Sequence, residues 1–143
     1  MMVAVSSCLV GKKCRYNATD CLNQSLLDEL IDYIEICPEL LGGLSTPRLP
    51  AEIVSGTAND VLGGRGKIFD ASGNDITSEM VAGTLQALNI CKSNDVTTAY
   101  LKQNSPTCGC GRIYDGSFSG RLINGNGIFA ELLHLNGIDV VAV

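Results

Sequence analysis

Three short apolar runs in this chain each lead into a cysteine-bearing turn. Met2 to Val5 enters Ser6-Ser7-Cys8, Tyr33 to Ile36 enters Cys37-Pro38-Glu39, and Val96 to Leu101 delivers Ser105-Pro106-Thr107-Cys108-Gly109. Short apolar runs of this kind, separated by turn residues and helical stretches, are the pattern of buried strands in a parallel sheet. In open α/β sheets, ligands bind outside the carboxyl ends of the strands, near the point where strand order reverses. Cys8, Cys37 and Cys108 are therefore expected to converge. Three thiolates meeting at one point suit a soft metal or an iron-sulfur group, and a ligand set of three rather than four leaves one metal position open for substrate.

The stretches between the runs define the rest of the fold. From about Leu22 to Ile34, the residues Leu26, Leu27, Leu30, Ile31 and Ile34 recur at helical spacing and predict an amphipathic helix. Gly42, Gly43, Pro47 and Pro50 exclude a long regular element from Glu39 to Pro50, where an ordered loop is expected. Residues 56–66 form a glycine-rich loop, and 67–77 place a Ser-Gly-Asn turn between two alternating pieces, a β-hairpin. Thr77 is positioned to cap a helix carrying Met80, Val81, Leu85, Leu88 and Cys91. After the strand at 96–101 come a glycine-rich stretch (111–127), a helix over 128–135 closed by Asn136-Gly137, and a last strand over 138–143. This order predicts a single three-layer α/β domain over residues 1–143, with a mainly parallel sheet and a small β-hairpin insert.

A chain of 143 residues with 45% apolar content can bury a core without disulfide staples. No apolar stretch reaches membrane-spanning length and no secretory leader is visible, so a soluble, cytoplasmic protein is expected, with no membrane partner. The net charge of −5 argues against a long nucleic acid as partner. Lys12, Lys13 and Arg15 form a short basic group that reads as a solvated loop. The sequence does not specify an oligomeric state.

Seven cysteines in a reducing compartment are ligands, nucleophiles or core residues rather than disulfides. The default for each is a buried thiol. Cys14 and Cys21 lie near Cys8 and could complete a closed, structural four-thiolate zinc site. Cys110 is spare, and Cys91 belongs to a helix core. Glu39 after Pro38 reads by default as a solvated loop residue, Ser105 before Pro106 as a turn initiator, and Gly109 as a glycine demanded by positive φ. His134 is the single histidine and suits the C-terminal end of a helix. Gly125-Asn126-Gly127 resembles an anion-binding turn at a helix start. No P-loop or dinucleotide fingerprint is present.

The segments SSCLVGKKCRY, CPELLGGLSTPRLPAEI, LKQNSPTCG, IYDGSFSGRLINGNGIFAELL and the closing GIDV resemble the DUF523 family, whose characterised members are thiouracil desulfidases. The resemblance covers almost the whole chain and implies a compact, Rossmann-like domain. It also implies an enzyme whose cofactor is a 4Fe-4S cluster with one iron not ligated by protein. The implied substrate is a small thiolated base or nucleoside, desulfurated without redox chemistry, as in 2-thiouracil to uracil plus sulfide. Carried over by motif, the ligands fall on Cys8, Cys37 and Cys108, and the catalytic side chains on Glu39 and Ser105. One departure is Tyr16-Asn17-Ala18, where family members commonly read Tyr-Asp-Gly.

That chemistry has a plain physical basis. A thiocarbonyl sulfur is soft, an open iron is a Lewis acid, and a carboxylate such as Glu39 can activate the attacking water. A serine hydroxyl can both donate and accept, which suits Ser105 to hold substrate or relay a proton. Two other functions fit the same residues. One is a desulfurase of thiolated nucleosides, nucleotides or tRNA. The other is a non-enzymatic zinc or cluster-binding module, which would recruit a fourth thiolate from Cys14, Cys21 or Cys110.

Overall fold

The computed structural model describes residues 2–143. It begins with strand β1 (Met2–Ser6), a 3-10 turn (Ser7–Val10), helix α1 (Gln24–Glu29) and strand β2 (Tyr33–Ile36). Helix α2 (Pro38–Leu41), strand β3 (Ala51–Ser55), helix α3 (Ala58–Leu62) and strand β4 (Lys67–Asp70) follow. Then come the long helix α4 (Thr77–Ser93), strand β5 (Val96–Leu101), strands β6 (Arg112–Tyr114) and β7 (Leu122–Asn124), helix α5 (Ile128–Leu135) and strand β8 (Asp139–Ala142).

The central sheet runs β2-β1-β5-β8, and every pair in it is parallel. The chain leaves β1 for β2 on one side and returns to β5 on the other, so strand order reverses between β1 and β5. A crevice at the carboxyl ends of those two strands, beyond Ser6 and Leu101, is the geometric result. The α/β architecture with a parallel sheet agrees with the sequence pattern.

Alternation along the strands builds the layers. Ala4, Ile36, Ala99 and Leu101 pack against Ala87, Leu88 and Cys91 of α4 and Phe129, Ala130 and Leu133 of α5. Val3 and Val5 face the other way, onto Leu9, Cys14, Leu26 and Leu30. Full burial of a side chain such as Phe129 or Leu133 contributes about 1.5–3 kcal/mol. The helical layer on the first face is thick, and the second consists of one six-residue helix and a loop.

Several elements differ from the sequence reading. The helix expected over 22–34 is confined to 24–29: Asn23 caps its start by accepting from Leu26 N, and Leu30 is already extended. Ile34 belongs to β2, and Ile31 is 93% exposed. The loop expected from Glu39 begins as helix α2, with Pro38 in the first turn, where a missing N–H removes no bond. The glycine-rich loop at 56–66 contains α3, started by a capping box of Thr57 and Asp60.

The hairpin expected within 67–77 is replaced by the antiparallel pair β3–β4, in which Lys67–Asp70 pairs with Ala51–Ser55 across helix α3 in the sequence. The piece beyond the Ser-Gly-Asn turn adds one bridge, Phe69 to Asp75. Thr77 is the first residue of α4 rather than its cap; its Oγ1 accepts from Ile68 N at 2.9 Å and ties the helix to β4. The glycine-rich stretch 111–127 contains the small ribbon β6–β7.

Candidate active site

Each candidate cysteine is delivered by a turn tied down by backbone hydrogen bonds. Cys8 lies in the 3-10 turn directly after β1, and its carbonyl accepts from Gly11 N at 3.3 Å and Cys21 N at 2.9 Å. That second bond folds the 11–21 loop back over the strand end. Cys37 is the residue before the first turn of α2, which places Glu39 within that turn. Its Sγ donates to Glu39 Oε2 at 3.4 Å. Helix α2 rests on α4 at a point where neither has a side chain: a Cβ on Gly83 would run into the Pro38 carbonyl and the Gly42 amide.

The third turn is held from inside and from behind. Ser105 Oγ accepts from Cys108 N at 2.7 Å and Thr107 N at 3.3 Å. From behind, Ile128 N and Phe129 N, at the start of α5, donate to Pro106 O (2.8 Å) and Thr107 O (2.9 Å). The helix N-terminus that the Gly125-Asn-Gly127 motif suggested for an anion is thus filled by this chain's own carbonyls. Gly109 is not at positive φ; a Cβ there would instead collide with the Ser105 and Arg112 carbonyls and the Ile113 side chain. Gly127 has the same role against Thr107.

These turns open onto one cleft of about 450 Å³, and Cys8, Cys37, Glu39, Ser105 and Cys108 all line it. Cys14, from the folded-back loop, lines it too, lying beside Cys8 and Cys37. The other cysteines are elsewhere. Cys91 is fully buried in the sheet–helix core, Cys110 packs against that same core, and Cys21 packs under the α1 layer. Among the described residues, no three His, Cys, Asp or Glu side chains stand close enough to share one metal ion. The lone histidine is exposed in the last turn of α5.

Thiols and a carboxylate crowd the inner wall, and their acidities reflect it. Burial first, then the Glu39 charge, pushes the Cys108 thiol well up, against the pull of the Ser6 and Ser105 hydroxyls. Contact with Cys14, followed by burial and Glu39, raises Cys37. For Cys14, contact with Cys37 acts downward, but Cys8, burial and Glu39 outweigh it and hold the thiol at about 11. Metal ligation reverses such a balance, because a coordinating thiol is deprotonated outright. Soft sulfur donors from separate turns, with no histidine among them, fit an iron-sulfur group by their chemistry.

Three cleft residues, Ser6, Glu52 and Phe118, were not singled out from the sequence, and Cys14 was weighed there only as a fourth thiolate. Ser6 is 3% exposed, and its Oγ accepts from Lys102 N at 3.0 Å, joining the ends of β1 and β5. Cys14 carried a signal in its nearness to Cys8. Glu52 is the one acid within the apolar run of β3, and Phe118 is an aromatic residue among glycines and serines. The basic group divides: Lys12 pairs with Glu35 at 3.7 Å on the surface, while Arg15 lines the cleft with its guanidinium 5.8 Å from the centre of the Tyr16 ring. Ala18, at the family's glycine position, has φ +59.

A sequence profile for the family described as 2-thiouracil desulfurase matches residues 3–143. The uncharacterised protein YbbK of Bacillus subtilis (strain 168) is 46% identical over 144 residues, which cover 99% of this chain and 95% of that protein. Among solved structures, the [4Fe-4S]-dependent thiouracil desulfidase TudS superposes with a TM-score of 0.87 at 36% identity, over 99% of this chain and 89% of that one.

Proposed function

The chain belongs to the 2-thiouracil desulfurase family, and from that premise we propose that it is an iron-sulfur-dependent desulfidase that hydrolyses a thiolated pyrimidine, such as 2-thiouracil, to the oxo base and sulfide. The observation that carries this reading is the convergence of three cysteine turns and one carboxylate at the switch point of the sheet, with Glu39 Oε2 3.4 Å from Cys37 Sγ. Cys8, Cys37 and Cys108 would hold a 4Fe-4S cluster with one iron free of protein ligands. When bound, that group supplies a soft Lewis acid for the thiocarbonyl sulfur.

The side chains supply the rest. Glu39 accepts a proton from water as its oxygen adds to the ring carbon, and returns it as the C–S bond breaks. Sulfur leaves as sulfide, the carbon keeps oxygen, and no electron is gained or lost. Ser105 uses its lone pairs on the Cys108 and Thr107 amides, so its hydroxyl proton is the part free to turn from the Cys108 sulfur to the substrate. The apolar lining, including Ile36, Leu44 and Met80, keeps bulk water from the reacting atoms.

The test is anaerobic reconstitution with iron and sulfide, then assay of uracil and sulfide release from 2-thiouracil. About four irons per chain with turnover is the expected result. Glu39→Gln should keep the iron and its absorbance while kcat falls about 10²–10⁴-fold, the usual contribution of a general base. Loss of iron together with turnover in this variant would make Glu39 structural. One observation favours a second substrate: Arg15, Arg48 and Lys102 line the cleft and would meet the phosphate of a nucleotide, so 2-thiouridine and its monophosphate belong in the same assay.

A further inference from the structure

The β3 side of the cleft carries a carboxylate that this chemistry does not use. Glu52 is 7% exposed, within β3, and lines the cleft. Its Oε1 accepts from two backbone amides of the facing loop, Gly116 N at 2.8 Å and Phe118 N at 3.2 Å. That loop lies directly on the strand: Gly116 has φ +94, and a Cβ there would meet the Ile53 carbonyl. None of the ion pairs among the described residues involves Glu52.

Oε2 makes no hydrogen bond, yet it is not sealed in the protein; among the described residues the only fully buried side-chain polar atom without a partner is Thr84 Oγ1. A carboxylate offers about four lone-pair sites. Two of these are filled here, both on the oxygen that holds the loop. The remaining acceptor sites, on Oε2, are open to a donor that enters the cleft. The donor that fits is an N–H, and a thiolated pyrimidine carries ring N–H groups beside its thiocarbonyl carbon.

We infer that Glu52 is a specificity-determining residue, accepting a ring N–H of the base through Oε2 while Oε1 holds the Phe118 loop in place. The inference rests on the thiolated-pyrimidine reading above. Glu52→Gln is the direct variant, because the amide oxygen can still receive Gly116 and Phe118 while an NH₂ replaces the free acceptor. The reconstituted variant is expected to keep its iron content and melting temperature, with KM for 2-thiouracil raised about tenfold or more and kcat nearly unchanged, the loss of one charge-assisted bond. Calorimetric titration with uracil should show the same weakening.

N-methylated substrates provide a measurement that does not depend on the variant folding. In the unaltered protein, 1-methyl- or 3-methyl-2-thiouracil should have a KM about tenfold or more above that of 2-thiouracil. Glu52→Gln should lose that discrimination. An unchanged KM in a folded, iron-loaded variant overturns the inference, as does equal KM for 2-thiouracil and both methylated forms in the unaltered protein. If the loaded protein turns over no pyrimidine at all, the functional reading falls and this inference with it. Turnover that is indifferent to Glu52 removes only the inference.

Discussion

The two walls of the cleft are built by different means. On the inner wall, Cys8, Cys37 and Cys108 sit in turns tied by backbone hydrogen bonds and seated on α4 and α5 through Gly83 and Gly127. On the outer wall, strand β3 and the 115–120 loop are joined by one carboxylate, and Phe118 is 37% exposed. The inner wall is anchored on both faces of the central sheet, Cys108 with the α4–α5 side and Cys8 and Cys37 with the α1 side, and its geometry leaves little freedom of side-chain choice. The outer wall can change residues without disturbing the sheet. On the proposed reading, the reacting chemistry and the choice of substrate are carried by separable parts of the fold.

A hard blow to the Cys108 turn of the inner wall is Gly127→Ala. Its Cβ would strike the Thr107 carbonyl, a backbone atom that cannot rotate away. A cost of about 1–3 kcal/mol is expected, lowering the melting temperature by about 3–10 °C, together with poorer iron uptake on reconstitution. Normal iron content at normal stability would show that the Cys108 turn is looser than described. Next in size is Phe118→Ala on the outer wall, which should raise KM for 2-thiouracil about 3–10-fold by removing an aromatic contact. Iron content and melting temperature should not move; if they do, the walls are coupled.

The smallest effect expected is from Ala18→Gly. Ala18 has φ +59, a conformation that costs a side chain about 1–2 kcal/mol, part of which glycine returns to the flexible unfolded chain. A gain of about 0.5–1 kcal/mol and a melting temperature higher by a few degrees are expected. A loss of stability would place the loop in a different conformation in solution.

The contrast between the walls also explains what was legible in the sequence. Strand β5 and helix α5 have the bounds expected of them, because their apolar patterns coincide with burial on the main core. That Cys8, Cys37 and Cys108 line one cleft was readable because a parallel sheet gathers whatever follows its strands. The expected helix over 22–34 failed because Ile34 owes its apolar character to β2, and Ile31 faces solvent. Helix α3 had a readable signal in Thr57 and Asp60, hidden by the glycines on either side. Glu52 and Ser6 were not legible: each matters through a partner 50 or more residues away, Glu52 through Gly116 and Ser6 through Lys102.

The strand order has a consequence for the timing of assembly. Strand β1 is made first but lies inside the sheet, and its second neighbour, β5, is completed only at Leu101. The turn bearing Cys108 then leans on amides at Ile128 and Phe129. As the chain grows from the ribosome, Cys8 and Cys37 emerge long before the last thiol has anything to hold it. On the proposed reading, metal loading would therefore follow completion of the polypeptide, and a chain truncated before α5 would present Cys8 and Cys37 without the turn that positions Cys108.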